Sequence, residues 1–161
     1  MNLSSKSTII GTMTLGLVIA ASTIAYAGSH SSKDAQKDAA EYRQSTFNMV
    51  GQHFGVLTAM VKGKVEFDAA TFTKNAEAVE MLSRLTPNGF MVEGATKKSR
   101  AKDAIWEDKA DFDAKVAEFQ TASAALVEAA KSGDADKAKA AFGGVGKTCK
   151  GCHQPYRSKK K

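Results

Sequence analysis

The sequence predicts an all-α fold, an antiparallel up-down-up-down four-helix bundle, and three observations carry that prediction. Four segments place apolar residues three and four positions apart, the spacing of one helix face. No alternating run of strand length competes with them. Capping and turn residues fall between the four segments, where helices should start and stop. The 161 residues suffice for one domain and hardly for two. A hydrophobic share of 43% and a charged share of 25% are those of a globular chain rather than a disordered one. Two prolines, 13 glycines and 7% aromatics argue against a turn-rich all-β protein.

The first 27 residues stand apart. They hold one charge, Lys6, and no acid, and a mostly apolar stretch runs from about Thr8 to Ile24. Ala25-Tyr26-Ala27 then fits a small-x-small cleavage pattern. Residues 1–27 are therefore expected to be a secretory signal peptide that is removed, leaving an exported, periplasmic bundle over 28–161. A membrane anchor is the competing reading, weakened by the Thr, Ser and Gly content and the cleavage site. No later stretch is long and apolar enough to span a bilayer.

The first helix is expected over 33–61, started by Ser31 or Ser32, with Ser31 and Asp34 at capping-box spacing. Its inward stripe is Ala39, Arg43, Phe47, Val50, Phe54, Leu57 and Val61, and Lys62-Gly63-Lys64 ends it. Asp68 can cap a second helix over 69–85, with Phe72, Ala76, Val79, Leu82 and Leu85 inward and Thr86-Pro87-Asn88-Gly89 as its breaker. A long connection to about Lys102 follows, carrying Gly94, Lys97, Lys98 and Arg100; such loops are usually functional or mobile. The third helix is expected as one piece over 103–131, with Ile105, Phe112, Val116, Phe119, Leu126 and Ala130 on one face. Ser132-Gly133-Asp134 supplies a stop, a C′ glycine and a new N-cap, making the third and fourth helices antiparallel neighbours. The fourth runs over 135–157 with Ala138, Phe142, Val145, Cys149, Cys152 and Tyr156 in register.

The net charge of +6 is unevenly placed. Residues 28–140 carry 16 basic and 17 acidic side chains, whereas 141–161 carry Lys147, Lys150, Arg157, Lys159, Lys160 and Lys161 and no acid. Any partner selected by charge belongs to that C-terminal segment. Export and the localised charge disfavour nucleic-acid binding.

The chemistry lies on the fourth helix. Residues 149–153 read Cys-Lys-Gly-Cys-His, the pattern of c-type haem attachment. Cys149 and Cys152 lie one turn apart on one side of a helix, so both sulfurs can form thioethers with the two vinyl groups of one porphyrin. His153, one turn beyond Cys149, can coordinate the iron from that side. A redox C-x-x-C would sit in a βαβ context, and a structural zinc site needs a fourth ligand; the sequence offers neither. Gly143, Gly144 and Gly146 precede the motif, each costing about 1 kcal/mol in a helix interior. Two readings are open: close approach of the porphyrin to the backbone, or a frayed or kinked helix.

A haem motif near the C-terminus of an exported helical chain resembles cytochrome c′, among the class II c-type cytochromes. Further matching residues are Tyr42-Arg43-Gln44-Ser45-x-Phe47, Val61-Lys62-Gly63, Ile105-Trp106, Ala141-Phe142-Gly143 and His153-x-x-Tyr156-Arg157. The resemblance covers essentially all of 33–161. It implies an up-down bundle, one haem c, nitric oxide binding with some electron transfer, and a homodimer through the first two helices; an enzyme proper is disfavoured separately, because the sequence shows no acid/base pair or nucleophile motif. Met49, Met60 and Phe67 could give that dimer apolar surface.

The resemblance also places a distal residue four positions after the first-helix arginine. Cytochromes c′ have an apolar non-ligand there, and related six-coordinate electron-transfer proteins of the c556 type have a methionine. Here it is Phe47, which cannot ligate. Met49 is turned about 200° from it, Met60 lies about 20 Å along the axis, and His53 is turned about 120° and expected at the surface. Met81 and Met91 stand on other segments and stay open as ligands. Arg43, on the inward stripe, either meets a haem propionate or snorkels to solvent. For Arg157 the resemblance implies a place beside the proximal face; the other reading puts it in the solvated basic tail. Phe47 offers no hydrogen bond to a polarised ligand such as O₂, so NO and CO are the expected ligands. The alternative function is a six-coordinate electron carrier that docks on a periplasmic redox partner through the basic C-terminal segment.

Overall fold

The computed structural model describes residues 31–96 and 99–159. The expected leader over 1–27 and His30 lie outside the described residues. Four long helices, α1 (Ser32–Val61), α2 (Ala69–Leu85), α4 (Lys109–Lys131) and α5 (Ala135–Tyr156), form the four-helix bundle, and a short α3 (Ala104–Glu107) precedes α4. Among the described residues there is no strand, only an isolated antiparallel bridge between Ala101 and Arg157.

Local signals set the boundaries. Ser31 accepts from the Asp34 N–H, Asp68 from the Thr71 N–H at 2.6 Å, and Asp134 from the N–H groups of Asp136 and Lys137 at 3.0 Å. Each satisfies amides that a helix start leaves without partners. α1 ends in a Schellman motif: Gly63 N–H donates to Met60 O and Lys64 N–H to Ala59 O, with Gly63 at φ 65°. The third helix is not one piece. Asp108 leaves helical geometry and accepts from the Asp111 N–H at 3.1 Å, so it caps α4 and separates it from α3. An aspartate that can bond an amide three residues on competes with helix continuation.

α1 packs on α2, α2 on α4 and α4 on α5, and α1 meets α5 through the rings of Phe54 and Phe142, stacked at 4.4 Å. One core cluster joins Leu57, Phe72, Val79, Leu126 and Val145; a second joins Phe90, Ile105, Phe112, Val116 and Tyr156. The six residues expected inward on the third helix are all buried. Leu85, expected inward on α2, is instead 39% exposed at the helix end. Met60 belongs to the core and supplies no free surface, whereas Phe67 is half-buried with its ring 5.1 Å from Phe72.

After α2 the chain makes a 3₁₀ turn, Thr86–Phe90, and returns along the bundle. Gly89 lies against α1 so closely that a Cβ there would stand 2.3 Å from Arg43 Cγ. The connection is packed at Gly89, Phe90 and Ala95, whereas Met91 between them is 79% exposed.

Candidate functional site

The gap between α1 and α5 opens into a cavity of about 1030 Å³. All six residues singled out from the sequence line it: Arg43 and Phe47 from α1, and Cys149, Cys152, His153 and Arg157 from α5 and its cap. The walls are largely aromatic and aliphatic. Phe47 meets Phe90 edge-on at 6.3 Å, Phe90 lies 4.6 Å from Phe112, and Phe112 lies 5.2 Å from Tyr156, a relay of rings from α1 to α5.

Cys149 and Cys152 are free thiols on successive turns of α5. Cys149 packs against the first core cluster and Cys152 against the second. Burial pushes both thiols up; Cys152, next to Cys149 and Asp111, reaches about 11. Both are thiols at neutral pH, and net addition of S–H across a vinyl group gives a thioether without any oxidant or reductant. No cluster of three or more metal-ligating side chains exists among the described residues. His153 is held below the ordinary imidazole range by burial and by the charges of Arg157 and Arg100. Both causes favour the neutral ring, which has a lone pair to offer. The size of the cavity, its apolar walls and this donor set fit a porphyrin attached at 149 and 152.

The other polar groups near the cavity are engaged. Tyr156 donates its hydroxyl to Asp111 Oδ2 at 2.6 Å, and Lys115 pairs with Glu118 at 3.1 Å. None of Met49, Met60, Met81 and Met91 lines the cavity: Met60 is buried in the core and Met91 is 79% exposed. His53 does not line it either. It is half-buried and hydrogen-bonds Asn75 of α2 at 2.9 Å, rather than facing solvent as expected.

Arg43 does not snorkel; it is 4% exposed. It donates to Gly89 O at 2.6 Å, to Ala95 O, and to Ser99 Oγ at 3.2 Å, and its guanidinium lies 5.0 Å from the Phe90 ring centroid. Carbonyl dipoles and a ring face, rather than a protein anion, meet this charge, and burial lowers its pKa. Arg157 is exposed at the cavity edge, its N–H closing the last turn of α5 on His153 O. Gly143, Gly144 and Gly146 do not line the cavity, and a Cβ at any of them would meet no neighbour within 4 Å. They lie in continuous helix, and nothing in the structure explains them.

Sequence reasoning missed two parts of the lining. Gln44, Asn48 and Gln52 put a rail of amides along the α1 rim at steps of four, so that wall is not purely apolar. Arg100 enters from the long connection. The four-residue spacing of the amides was readable; the approach of Arg100, set by main-chain docking, was not.

A family model described as Cytochrome C' matches residues 38–157. The chain is 43% identical over 124 residues to a cytochrome c' of Alcaligenes xylosoxydans xylosoxydans, covering 77% of this chain and 96% of that one. Its fold is similar to that of cytochrome c prime from Shewanella frigidimarina, with a TM-score of 0.74 and 46% identity over 77% of this chain and 97% of that one. It is also similar to a nitric oxide complex of a variant cytochrome c prime from Alcaligenes xylosoxidans, with a TM-score of 0.71, 42% identity, and 77% and 97% coverage.

Proposed function

The chain belongs to the cytochrome c′ family of haem c proteins, which are not enzymes, and on that premise we propose that it is a periplasmic gas-binding haem protein with iron held from one side by His153. Cys149 and Cys152 form the thioethers, and His153 gives its neutral imidazole. When bound, the haem supplies an iron that takes up a diatomic ligand and exchanges single electrons. Phe47 keeps a hydrocarbon ring on the α1 wall, donates nothing to a ligand and obstructs its access. NO and CO, which need less hydrogen bonding than O₂, are the ligands this wall favours; a relative with the same fold is recorded with nitric oxide. Arg43 and Arg157 line the cavity and would be guanidinium groups within reach of the cofactor's carboxylates, Arg43 while also holding the connection.

The observation that carries the reading is the donor set: among the described residues His153 is the one imidazole lining the cavity, and no methionine lines it. The test is the absorption spectrum of the purified holoprotein, ferric and ferrous, with and without CO and NO. High-spin spectra that change on adding CO are expected. A low-spin resting spectrum, with a thioether or second imidazole bound, would leave a c556-like electron carrier instead.

Electron exchange with an acidic partner would use the basic C-terminal segment, where Arg157 meets Arg100 at the cavity rim. Export follows from the leader over 1–27, which is taken to be removed from the bundle over 28–161; no described helix is long and apolar enough to cross a membrane. A homodimer through α1 and α2 is supported by exposed Tyr42, Met49 and Val56, seven residues apart on α1, and by Met81 and Leu85 on α2. The Tyr42 hydroxyl donates to Leu85 O at 3.4 Å, which joins one member of each set. Sedimentation equilibrium should give twice the chain mass.

A further inference from the structure

The end of α5 is weak by its own sequence. Pro155 has no N–H to donate to Gly151 O, and no glycine stands at the C′ position to reverse the chain. The last intrahelical bond runs from Arg157 N–H to His153 O at 3.1 Å. Beyond it the carbonyls of Gln154, Pro155 and Tyr156 have no partner within the helix. One residue of the long connection meets all three. Lys102 Nζ donates to Gln154 O at 3.3 Å and to Pro155 O at 2.9 Å, and Lys102 N–H donates to Tyr156 O at 3.1 Å.

The ammonium also stands at the negative end of the helix dipole. Next to it Ser158 N–H donates to Arg100 O, and Arg100 Nε donates to Ser158 O, both at 2.8 Å. Segment 100–102 is thus a cap supplied from a distant part of the chain, and the turn it closes carries His153 and Arg157.

We propose that Lys102 is a positioning residue that fixes the orientation of the His153 imidazole by capping the last turn of α5. The proposal rests on the reading of His153 as the axial ligand. Lys102 does not touch the ring; it acts through the carbonyls that follow it. Without the ammonium, two of those carbonyls turn to water, the turn frays, and the imidazole samples a wider range of orientations.

The test uses the haem-loaded full chain. Resonance Raman spectra of the ferrous protein report the iron–imidazole stretch, and amide hydrogen exchange reports the turn. In Lys102→Met the stretch should shift and broaden, and exchange at 156–158 should speed by about tenfold or more. Lys102→Arg, which keeps charge and donors, should restore both. An unchanged band in Lys102→Met, even in a less stable protein, would overturn the proposal alone. Should Lys102→Met give no loaded protein, Lys102→Gln, with an amide donor on a shorter stem, is read by the same two criteria. A parent protein without an iron–imidazole band would overturn the assignment of His153 and the proposal with it.

Discussion

Replacing Arg43 by Met should loosen one wall of the cavity far more than the loss of one surface charge would. The guanidinium is buried and donates to Gly89 O, Ala95 O and Ser99 Oγ, three acceptors spread over eleven residues of the connection. Methionine fills much of the same volume and donates to none of them. Each buried acceptor left without a partner costs about 1–3 kcal/mol. The Phe90 face at 5.0 Å adds about 1 kcal/mol of cation–π attraction. Relief of the desolvated charge offsets part of this sum, leaving a net loss of about 2–5 kcal/mol. At about 3 °C per kcal/mol for a chain of this size, the melting temperature should fall by about 6–15 °C. Lysine should not rescue it, because one ammonium cannot reach three separated acceptors. Thermal unfolding of the holoprotein by circular dichroism gives the magnitude, and hydrogen exchange gives the place, with faster exchange confined first to the connection. A loss under about 1 kcal/mol, or exchange that rises evenly over α1, would refute the assignment of Arg43 as the anchor of this segment.

Phe47→Ala should speed CO association by about tenfold, a drop near 1.4 kcal/mol in the barrier, because the ring that narrows the α1 side is removed; flash photolysis measures it, and an unchanged rate would show that Phe47 does not guard access. Asp134 is held below its ordinary range by the Lys137 N–H, so its contribution to stability is present above that range and lost as pH falls through the lowered value. Melting curves from pH 5 to pH 2 should therefore fall less steeply for Asp134→Asn than for the parent, and parallel curves would contradict the cap. Asp108→Ala should cost about 1 kcal/mol in denaturant titration, whereas Asp103→Ala, which removes no capping bond, should be near neutral.

The helices were legible because their information is local. Ser31, Asp68 and Asp134 each bond an amide within three residues, and the period of Ile105, Phe112, Val116, Phe119, Leu126 and Ala130 matches the buried face they form. The break at Asp108 was not legible. An aspartate within an amphipathic pattern fits an exposed helical position as well as a cap, and packing of α3 against both α4 and α5 decides between them. Leu85 fits its stripe, but α2 ends there, so no facing helix covers it.

The candidate site divides in the same way. Cys149, Cys152 and His153 declare themselves by spacing on one helix, and Phe47 through the resemblance to cytochrome c′, which marks the position four after Arg43. The connection that joins them has no such signature, because its side chains find main-chain acceptors. Arg43 holds Gly89 O and Ala95 O; Ser99 Oγ accepts from both Arg43 and the Ala101 N–H; Ala101 bridges Arg157; Lys102 holds Gln154 O and Pro155 O. A carbonyl is present at every residue, so no residue type marks the position that receives the bond. The consequence is physical. Besides the stacked Phe54 and Phe142 rings that join α1 to α5, the bonds of Arg43 and of the Ala101 N–H to Ser99 Oγ, with the pairing of 100–102 on 156–158, link Arg43, a turn before Phe47, to Arg157, a turn after His153. The connection therefore joins the two cavity walls alongside the Phe54–Phe142 contact, and changes in it should reach both sides of the cavity together.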